Sequence, residues 1–145
     1  MRVDFYLLSK DPVEAALPRI AKSVKGAGER MLVVAAEPDH LAMIDRALWE
    51  QLVEDFLAHG KAGEAHADRQ PVLLSSGCDA ENGAKYIALA DGTWRDEALE
   101  FERTFLFFDQ RKIDEARGTW RMLGERDDVE RRFWKQEGGR WVEGP

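Results

Sequence analysis

The stretch FERTFLFFDQRKIDEARGTWRML (residues 101–123) decides the fold, because it joins both regular elements of an α/β protein in one run. Residues 104–108 are almost entirely apolar, which predicts a strand buried on both faces. Residues 110–123 return to helical spacing, with an apolar stripe at Ile113, Ala116, Trp120 and Leu123. We therefore expect a buried strand followed by an amphipathic helix.

The remainder of the chain continues this alternation of strands and helices. Strand character is found in residues 3–8, 31–36, 71–74 and 86–89. Helical spacing occupies residues 13–26 and 38–48, and a short helix is predicted from residue 96. Asp11 and Pro12 suit the opening of the first helix, as N-cap and first helical residue.

Two irregular regions complete the predicted order of elements. Residues 60–70 lack periodicity and are predicted to be a loop, whereas RRFWKQEGGRWVEG (131–144) alternates aromatic and polar residues around Gly-Gly and predicts a β-hairpin. The predicted fold is a single three-layer α/β/α domain over residues 1–145. Its sheet is largely parallel or mixed and ends in the C-terminal hairpin.

The composition narrows the class of protein. A hydrophobic fraction of 44% and a charged fraction of 34% are typical of a globular protein, and no apolar run is long enough to cross a membrane. A single cysteine, Cys78, favours a reducing cytoplasm, and its polar surroundings favour an idle surface thiol over a nucleophile.

Positive charge is concentrated in one part of an acidic chain. Residues 103–135 contain nine Lys/Arg and seven Asp/Glu, a balance of +2, while the remaining residues contain twelve and twenty-one, a balance of −9. The overall charge of −7 argues against non-specific coating of DNA. A local cationic face suits a small, specific anionic partner better.

The motifs that usually carry catalysis or cofactors are missing. No glycine-rich loop follows the first predicted strand, so the sequence has no phosphate-binding loop at that junction. The residues His59, Glu64, His66 and Asp68 lack the spacing of a metal site. We expect no catalytic residues, no cofactor and no metal.

The predicted helix 110–123 permits two interpretations. Ile113, Arg117 and Arg121 form a row beside the apolar stripe, and Lys112 adds charge at the start of the helix. In the first interpretation Trp120 belongs to the core and the arginines form a solvated rim. In the second, the seam is a pocket for an aromatic group beside a carboxylate.

At these residues the chain resembles a known family, the chi subunit of bacterial DNA polymerase III. The similarity extends over nearly the whole chain, and its longest segment is ungapped. The matching segments are DFYLL (4–8), DRALWEQLVEDFLAHGKAGEAHADRQPVLLSS (45–76), NGAKYIALADG (82–92), FERTFLFFD (101–109) and ARGTWR (116–121).

The resemblance implies an α/β/α adaptor without catalytic activity that works in the cytoplasm at replication forks. It would link the clamp-loader assembly to single-stranded DNA-binding protein and meet DNA only indirectly. The partner's acidic C-terminal tail ends in phenylalanine. By position, the resemblance assigns Arg117 to the terminal carboxylate, Trp120 to the wall of an aromatic pocket and Arg121 to flanking acidic groups.

The resemblance also assigns two supporting positions. Leu106 aligns with an apolar position of the pocket. A basic position one turn before Arg117 falls on Ile113 here, and Lys112 or Arg111 is the candidate replacement.

A second partner surface is implied near the end of the second helix. Trp49, Phe56 and Leu57 correspond to the family's face for the psi subunit or a helicase-like protein. From the residues alone, a tryptophan at a helix end, such as Trp49, is more often a packing residue than an interface residue.

Three rival functions remain open from the sequence. Fold class alone suggests a nucleotide-binding enzyme, and arginines beside tryptophans suggest a direct binder of single-stranded DNA. A helicase-associated repair adaptor is the third. Trp134 and Trp141 of the hairpin are expected to cover a sheet edge or the core, or else to extend an aromatic surface beside the pocket.

Overall fold

The computed structural model describes residues 1–9, 11–50, 59–137 and 140–144. Within these ranges the chain forms three α-helices and eight strands. The helices are α1 (Val13–Gly26), α2 (Pro38–Glu50) and α3 (Ile113–Gly124). The strands are β1 (Arg2–Leu7), β2 (Met31–Val34), β3 (His59–Lys61), β4 (Val72–Ser75), β5 (Tyr86–Leu89), β6 (Arg103–Phe108), β7 (Glu130–Glu137) and β8 (Arg140–Glu143).

All eight strands belong to one mixed sheet, in the order β3-β4-β2-β5-β6-β1-β7-β8. Every neighbouring pair is parallel except β7 and β8, which form the antiparallel C-terminal hairpin. Strand β1 lies between β6 and β7, so the two ends of the chain meet in the sheet. The predicted α/β class and hairpin are confirmed.

The helices cover both faces of the sheet. Helices α1 and α2 share one apolar core with alternate strand residues such as Met31, Val33 and Phe105. Helix α3 covers the opposite face through Ala116 and Leu123, which are buried among the other set of strand residues. The period-2 alternation of strand side chains divides each strand between the two cores, and the result is the predicted three-layer arrangement.

The structure corrects the predictions for residues 60–70 and for the start of helix α1. Residues 60–70 are not entirely a loop: β3 pairs with β4 at the sheet edge, and residues Ala67–Arg69 form a 3-10 helix. A three-residue strand held by backbone pairing leaves no side-chain pattern to detect. Helix α1 has Pro12 at its N-cap without a side-chain cap, while Asp11 instead accepts a hydrogen bond from Gln136 at 3.2 Å.

The helix predicted over residues 110–123 begins later than expected. Residues Gln110–Lys112 form a 3-10 turn, and α3 follows from Ile113. The Asp109 carboxylate accepts a hydrogen bond from the Arg111 backbone N–H at 2.9 Å and so caps the turn.

One buried carboxylate connects strand β1 to both of its neighbours in the sheet, β6 and β7. Asp4 on β1 is 0% exposed. Its oxygens accept hydrogen bonds from Arg2 Nη2 at 2.8 Å, Arg103 Nε at 2.8 Å and Trp134 Nε1 at 3.0 Å. Because β6 contributes Arg103 and β7 contributes Trp134, this network ties both neighbours to β1.

We expect Asp4→Ala to destabilise the fold by roughly 3 kcal/mol, since it leaves two half-buried guanidinium groups without their counter-charge. Urea unfolding measures the change. Arg46→Ala, which breaks the exposed 2.8 Å pair with Glu50, is the control and should leave the free energy of unfolding unchanged. Equal stability of wild type and Asp4→Ala would contradict the proposed role of the network.

We expect the stability of the fold to depend on pH through Tyr6. Its ring stacks on that of Phe107, with the centroids 5.1 Å apart. Burial, followed by the nearby charge of Asp4, raises the pKa of Tyr6 to about 12. The stability that depends on the neutral phenol is fully present below the unfolded value of about 10 and is lost as the pH rises through the folded value.

Urea unfolding at several pH values between about 9 and about 12 tests this, and the wild type should lose about 2–3 kcal/mol more than Tyr6→Phe. The two proteins would show parallel pH profiles if Tyr6 titrated like a solvent-exposed tyrosine.

Candidate functional site

An apolar groove of about 210 Å³ lies between α3 and β7, above the end of β1 and β6. It is the place where the predicted seam of helix 110–123 meets the sheet. The residues that line it are Phe5, Phe108, Ile113, Ala116, Arg117, Trp120 and Phe133.

Helix α3 is positioned over the sheet by its apolar stripe. Ala116 and Leu123 are buried, with 4% and 0% exposure, and hold the helix against the sheet. Ile113 and Trp120, on the same stripe, are only half-buried and form the lip of the groove. The stripe therefore serves both as a core contact and as one wall of a surface site.

The floor of the groove is aromatic and already packed. The Phe5 ring makes edge contacts with Trp120 and Phe108, with centroid distances of 5.1 Å and 6.4 Å. Phe5 and Phe108 are 1% and 4% exposed. A surface made of mutually supported rings is preorganised for another apolar ring, because little side-chain freedom remains to be lost.

The cations that face solvent on α3 lie beside this apolar surface. Arg117 lines the groove, its side chain is 67% exposed, and Asp114 is its 3.7 Å ion-pair partner. One turn on, Arg121 is exposed and makes no ion pair within the described residues. An exposed pair of this length contributes little to stability, so both guanidinium groups are available to an incoming anion.

Two residues of β7 contribute to the groove, one as a lining residue and one through Trp120, and no pattern in the sequence marks them as site residues. Phe133 lines the wall opposite α3. Arg131, two residues earlier on the same strand face, lies 4.3 Å from the Trp120 ring centroid and donates a 2.8 Å hydrogen bond to the Trp120 carbonyl. The alternation Arg-Arg-Phe-Trp placed them on a strand, but only the pairing of β7 with β1 brings them to α3.

The end of the chain holds Phe133 in place. Gly144 donates a 2.8 Å hydrogen bond to the Phe133 carbonyl, and a Cβ at Gly144 would overlap the Phe133 ring. A residue with a side chain at this position would displace the Phe133 ring from its place in the groove.

Two of the predicted tail-binding residues lie elsewhere. Leu106 is 1% exposed and packs in the core beside Phe5, its register partner, so it supports the groove floor without lining it. Lys112 lies outside the groove, with its ammonium group 3.5 Å from Glu115 and 3.3 Å from the Thr93 hydroxyl. The 3-10 turn before α3 directs Lys112 away from Arg117, and Ile113 instead presents an apolar side chain to the groove.

The hairpin tryptophans are on the other side of the sheet. Trp134 stacks on Tyr6 at 6.3 Å, and Trp141 meets the same ring edge-on at 4.9 Å. Both pack against the core beneath α1. The simpler expectation is thus confirmed. The alternative of an added aromatic surface beside the pocket is wrong, because Trp134 shares the face of Tyr6, and Trp141, opposite Gln136, lies on that same face away from α3.

The second predicted surface is only partly described. Trp49, near the end of α2, is 49% exposed and lies 4.6 Å from the His59 ring. His59 Nε2 lies 3.0 Å from Asp45 Oδ1. Phe56 and Leu57 fall outside the described residues.

A larger crevice of about 630 Å³ opens at the carboxyl ends of β1 and β6. Its cations are already paired within the protein: Arg111 with Asp109 at 2.8 Å and Lys112 with Glu115. The hydrogen bond from Arg111 lowers the pKa of Asp109, which keeps the pair charged. The crevice therefore offers an anion less than the groove does.

Metal sites, a reactive thiol and membrane-spanning helices are three further features to consider in the part of the chain that the structure describes. No group of three His, Cys, Asp or Glu side chains there could hold a metal ion. Burial raises the pKa of the Cys78 thiol, which lowers its reactivity at neutral pH. None of the helices in the described ranges has the length and apolar character needed to cross a bilayer.

A comparison against known families identifies the family of the chain. Residues 1–129 match the family described as DNA polymerase III chi subunit, HolC. This match covers most of the 145 residues, and the chain belongs to that family. No curated protein matches the chain significantly. The family assignment makes the protein an accessory subunit of the polymerase III holoenzyme with a role in DNA replication.

Proposed function

We propose that this chi-family protein is a non-catalytic adaptor that links the clamp-loader assembly to single-stranded DNA-binding protein. Its α3–β7 groove would bind the acidic, phenylalanine-terminated C-terminal tail of that partner. The observation that carries the proposal is a preformed aromatic groove, of a size for one ring, bordered by Arg117 on a chain of net charge −7. Such a protein would act in the cytoplasm at replication forks.

Each part of the tail has a chemically matched counterpart. The phenylalanine ring would enter the groove against Trp120 and Phe133, and its α-carboxylate would pair with Arg117. Acidic residues that precede the phenylalanine would approach Arg121. The exposed guanidinium groups suit this role because a carboxylate accepts two parallel N–H bonds from one arginine.

The energies of these contacts indicate a moderate affinity. Burial of one phenylalanine ring contributes about 1.5–3 kcal/mol. A hydrogen bond to a charged group contributes about 1.5–3 kcal/mol. After the cost of association, the dissociation constant should be on the order of micromolar. Since the charged contacts are exposed, binding should weaken as salt concentration rises.

The rival functions have less support. A direct binder of single-stranded DNA needs a continuous basic track with several stacking rings, whereas Trp134 and Trp141 are on the far face from Arg117 and Arg121. A nucleotide-binding enzyme would need a glycine loop after β1, and the chain has none there. A helicase-associated repair adaptor would use the same groove and differ only in its second partner.

We expect Arg117→Ala to reduce the affinity for a synthetic acidic peptide ending in phenylalanine below detection, because the terminal carboxylate loses its counter-charge. Calorimetric titration measures the affinity. Arg19→Ala removes the same charge from exposed α1, on the other side of the sheet, and should bind like the wild type.

A parallel titration with naked oligonucleotide separates the proposal from direct DNA binding. Peptide binding unchanged by Arg117→Ala, or oligonucleotide binding stronger than peptide binding, would reject the assignment of the groove.

We also propose that the surface around Trp49 contacts a second partner, either the psi subunit of the clamp loader or a helicase-like protein. A half-exposed indole at a helix end is an unusual use of a large apolar side chain, and aromatic residues are enriched at protein interfaces. Trp49 and the groove are on different elements of the fold, so both partners could be bound together. Phe56 and Leu57 remain candidates for the same surface.

Trp49→Ala should weaken binding to purified psi subunit, or to the helicase-like protein, by about tenfold or more, as expected for a buried interface aromatic residue. The tail peptide should still bind with wild-type affinity. Met43→Ala removes another exposed apolar side chain of α2 and serves as the control. Simultaneous loss of both binding activities would instead indicate that Trp49 is required for folding.

A further inference from the structure

We propose that Arg131 is a positioning residue that holds Trp120 as a wall of the groove, and that Gly124 is required to make room for it. The effect of Arg131 on binding rests on the proposed function, in which Trp120 forms a wall for the phenylalanine ring of the peptide. The contacts of Arg131, however, belong to the protein alone and can be tested without any ligand.

Arg131 holds both the side chain and the backbone of Trp120. Its guanidinium carbon lies 4.3 Å from the centroid of the indole, a stacking geometry typical of a cation–π contact. Its Nη1 donates a 2.8 Å hydrogen bond to the Trp120 carbonyl, one turn before α3 ends at Gly124. One side chain thus fixes the ring and the peptide unit that carries it.

Strand β7, which carries Arg131, is held in place by its pairing with the buried strand β1. In the parallel register of β7 with β1, Arg131 is opposite Val3 and Phe133 is opposite Phe5. Val3 and Phe5 are 0% and 1% exposed, so β7 is anchored along a buried strand. The same face of β7 therefore supplies one residue that lines the groove and one that orients the wall across from it.

Gly124 leaves the space that the guanidinium group occupies. A Cβ on Gly124 would lie 2.7 Å from Arg131 Nη1 and 2.9 Å from Cζ, closer than real contacts allow. The backbone of Gly124 is not in the left-handed region, so its conformation would accept any residue. Because the overlapping atoms are the flexible end of the Arg131 side chain, alanine at this position would displace the guanidinium group from Trp120.

A second glycine in the same helix provides a matched comparison. A Cβ on Gly118 would meet nothing within 4 Å. Alanine favours the helix at Gly118, in the interior of α3, and does so less at Gly124, its last residue. Only the substitution at Gly124 also displaces Arg131, so the difference between the two variants isolates the contact.

The consequence for binding is a reduced ordering cost. If Trp120 is held before the peptide arrives, its rotamer freedom does not have to be lost on binding, which corresponds to about a two- to tenfold gain in affinity.

The experiment compares Arg131→Ala, Arg131→Lys, Gly124→Ala and Gly118→Ala with the wild type. The ligand-free readout is the NMR signal of the Trp120 indole N–H, assigned by its loss in Trp120→Phe. We expect Arg131→Ala and Gly124→Ala to shift and broaden this signal and Gly118→Ala to leave it in place. Arg131→Lys keeps the charge but not the planar guanidinium, so it should restore the signal only in part.

The affinity readout is calorimetric titration with the synthetic acidic peptide ending in phenylalanine. Arg131→Ala and Gly124→Ala should weaken binding by about two- to tenfold, and Gly118→Ala should bind like the wild type. Adding Gly124→Ala to Arg131→Ala should have no further effect, because the overlapping group is already gone. If Gly124→Ala alone fails to fold, recovery of the fold in this double variant demonstrates the same contact.

The outcomes distinguish this inference from the proposed function. An unchanged Trp120 signal in both Arg131→Ala and Gly124→Ala would overturn the inference, even if the peptide binds as proposed. If the wild type does not bind the peptide, the proposed function fails, and the indole signal alone decides whether Arg131 positions Trp120.

Discussion

The buried carboxylate of Asp4 is the interaction on which the functional part of the fold depends. A charged group with 0% exposure is tolerated only when donors surround it, and Arg2, Arg103 and Trp134 provide them. These donors come from β1 itself and from both of its neighbours. A shift of either neighbour by one residue would turn its donor to the opposite face and leave the charge unpaired.

That constraint determines what the opposite face of the sheet presents. With Asp4 toward α1, its neighbours Val3 and Phe5 must face α3, and Phe5 becomes the floor of the groove. The same register places Phe133 beside Phe5 on β7. The polar network on one face and the aromatic groove on the other are therefore two consequences of a single strand alignment.

The groove and the larger crevice differ in how closely their cations are paired with carboxylates of the protein itself. In the crevice, Arg111 and Lys112 are each held by a nearby carboxylate, and the lining carboxylate Asp91 is paired with Arg95 behind it. Burial raises the pKa of Asp91, but hydrogen bonds from Arg95 and the Ala36 backbone outweigh it, and the pKa is lowered overall. At the groove, Arg117 has only a long, exposed ion pair. A smaller site with less internally neutralised cations is the better receptor for an anionic peptide.

Local sequence patterns were sufficient for most elements of the fold. Apolar runs such as residues 31–36 and 104–108 indicate buried strands, and the stripe from Ile113 to Leu123 indicates a helix packed on one side. The sequence patterns did not reveal strand β3, which consists of His59, Gly60 and Lys61. These residues form a strand because their backbone pairs with the edge of β4. The conformation of β3 comes from a neighbour and not from its own side chains.

The sequence by itself determined the α/β class, the hairpin, the family and the seam of Arg117 and Trp120 on one helix. Only the tertiary structure decided which other residues share the groove. It brought in Phe5, Phe108 and Phe133, set Arg131 against Trp120, and removed Leu106 to the core and Lys112 to a neighbouring cavity. Helical periodicity relates residues within one element, whereas a groove between a helix and a strand depends on register, and register is a property of the whole sheet.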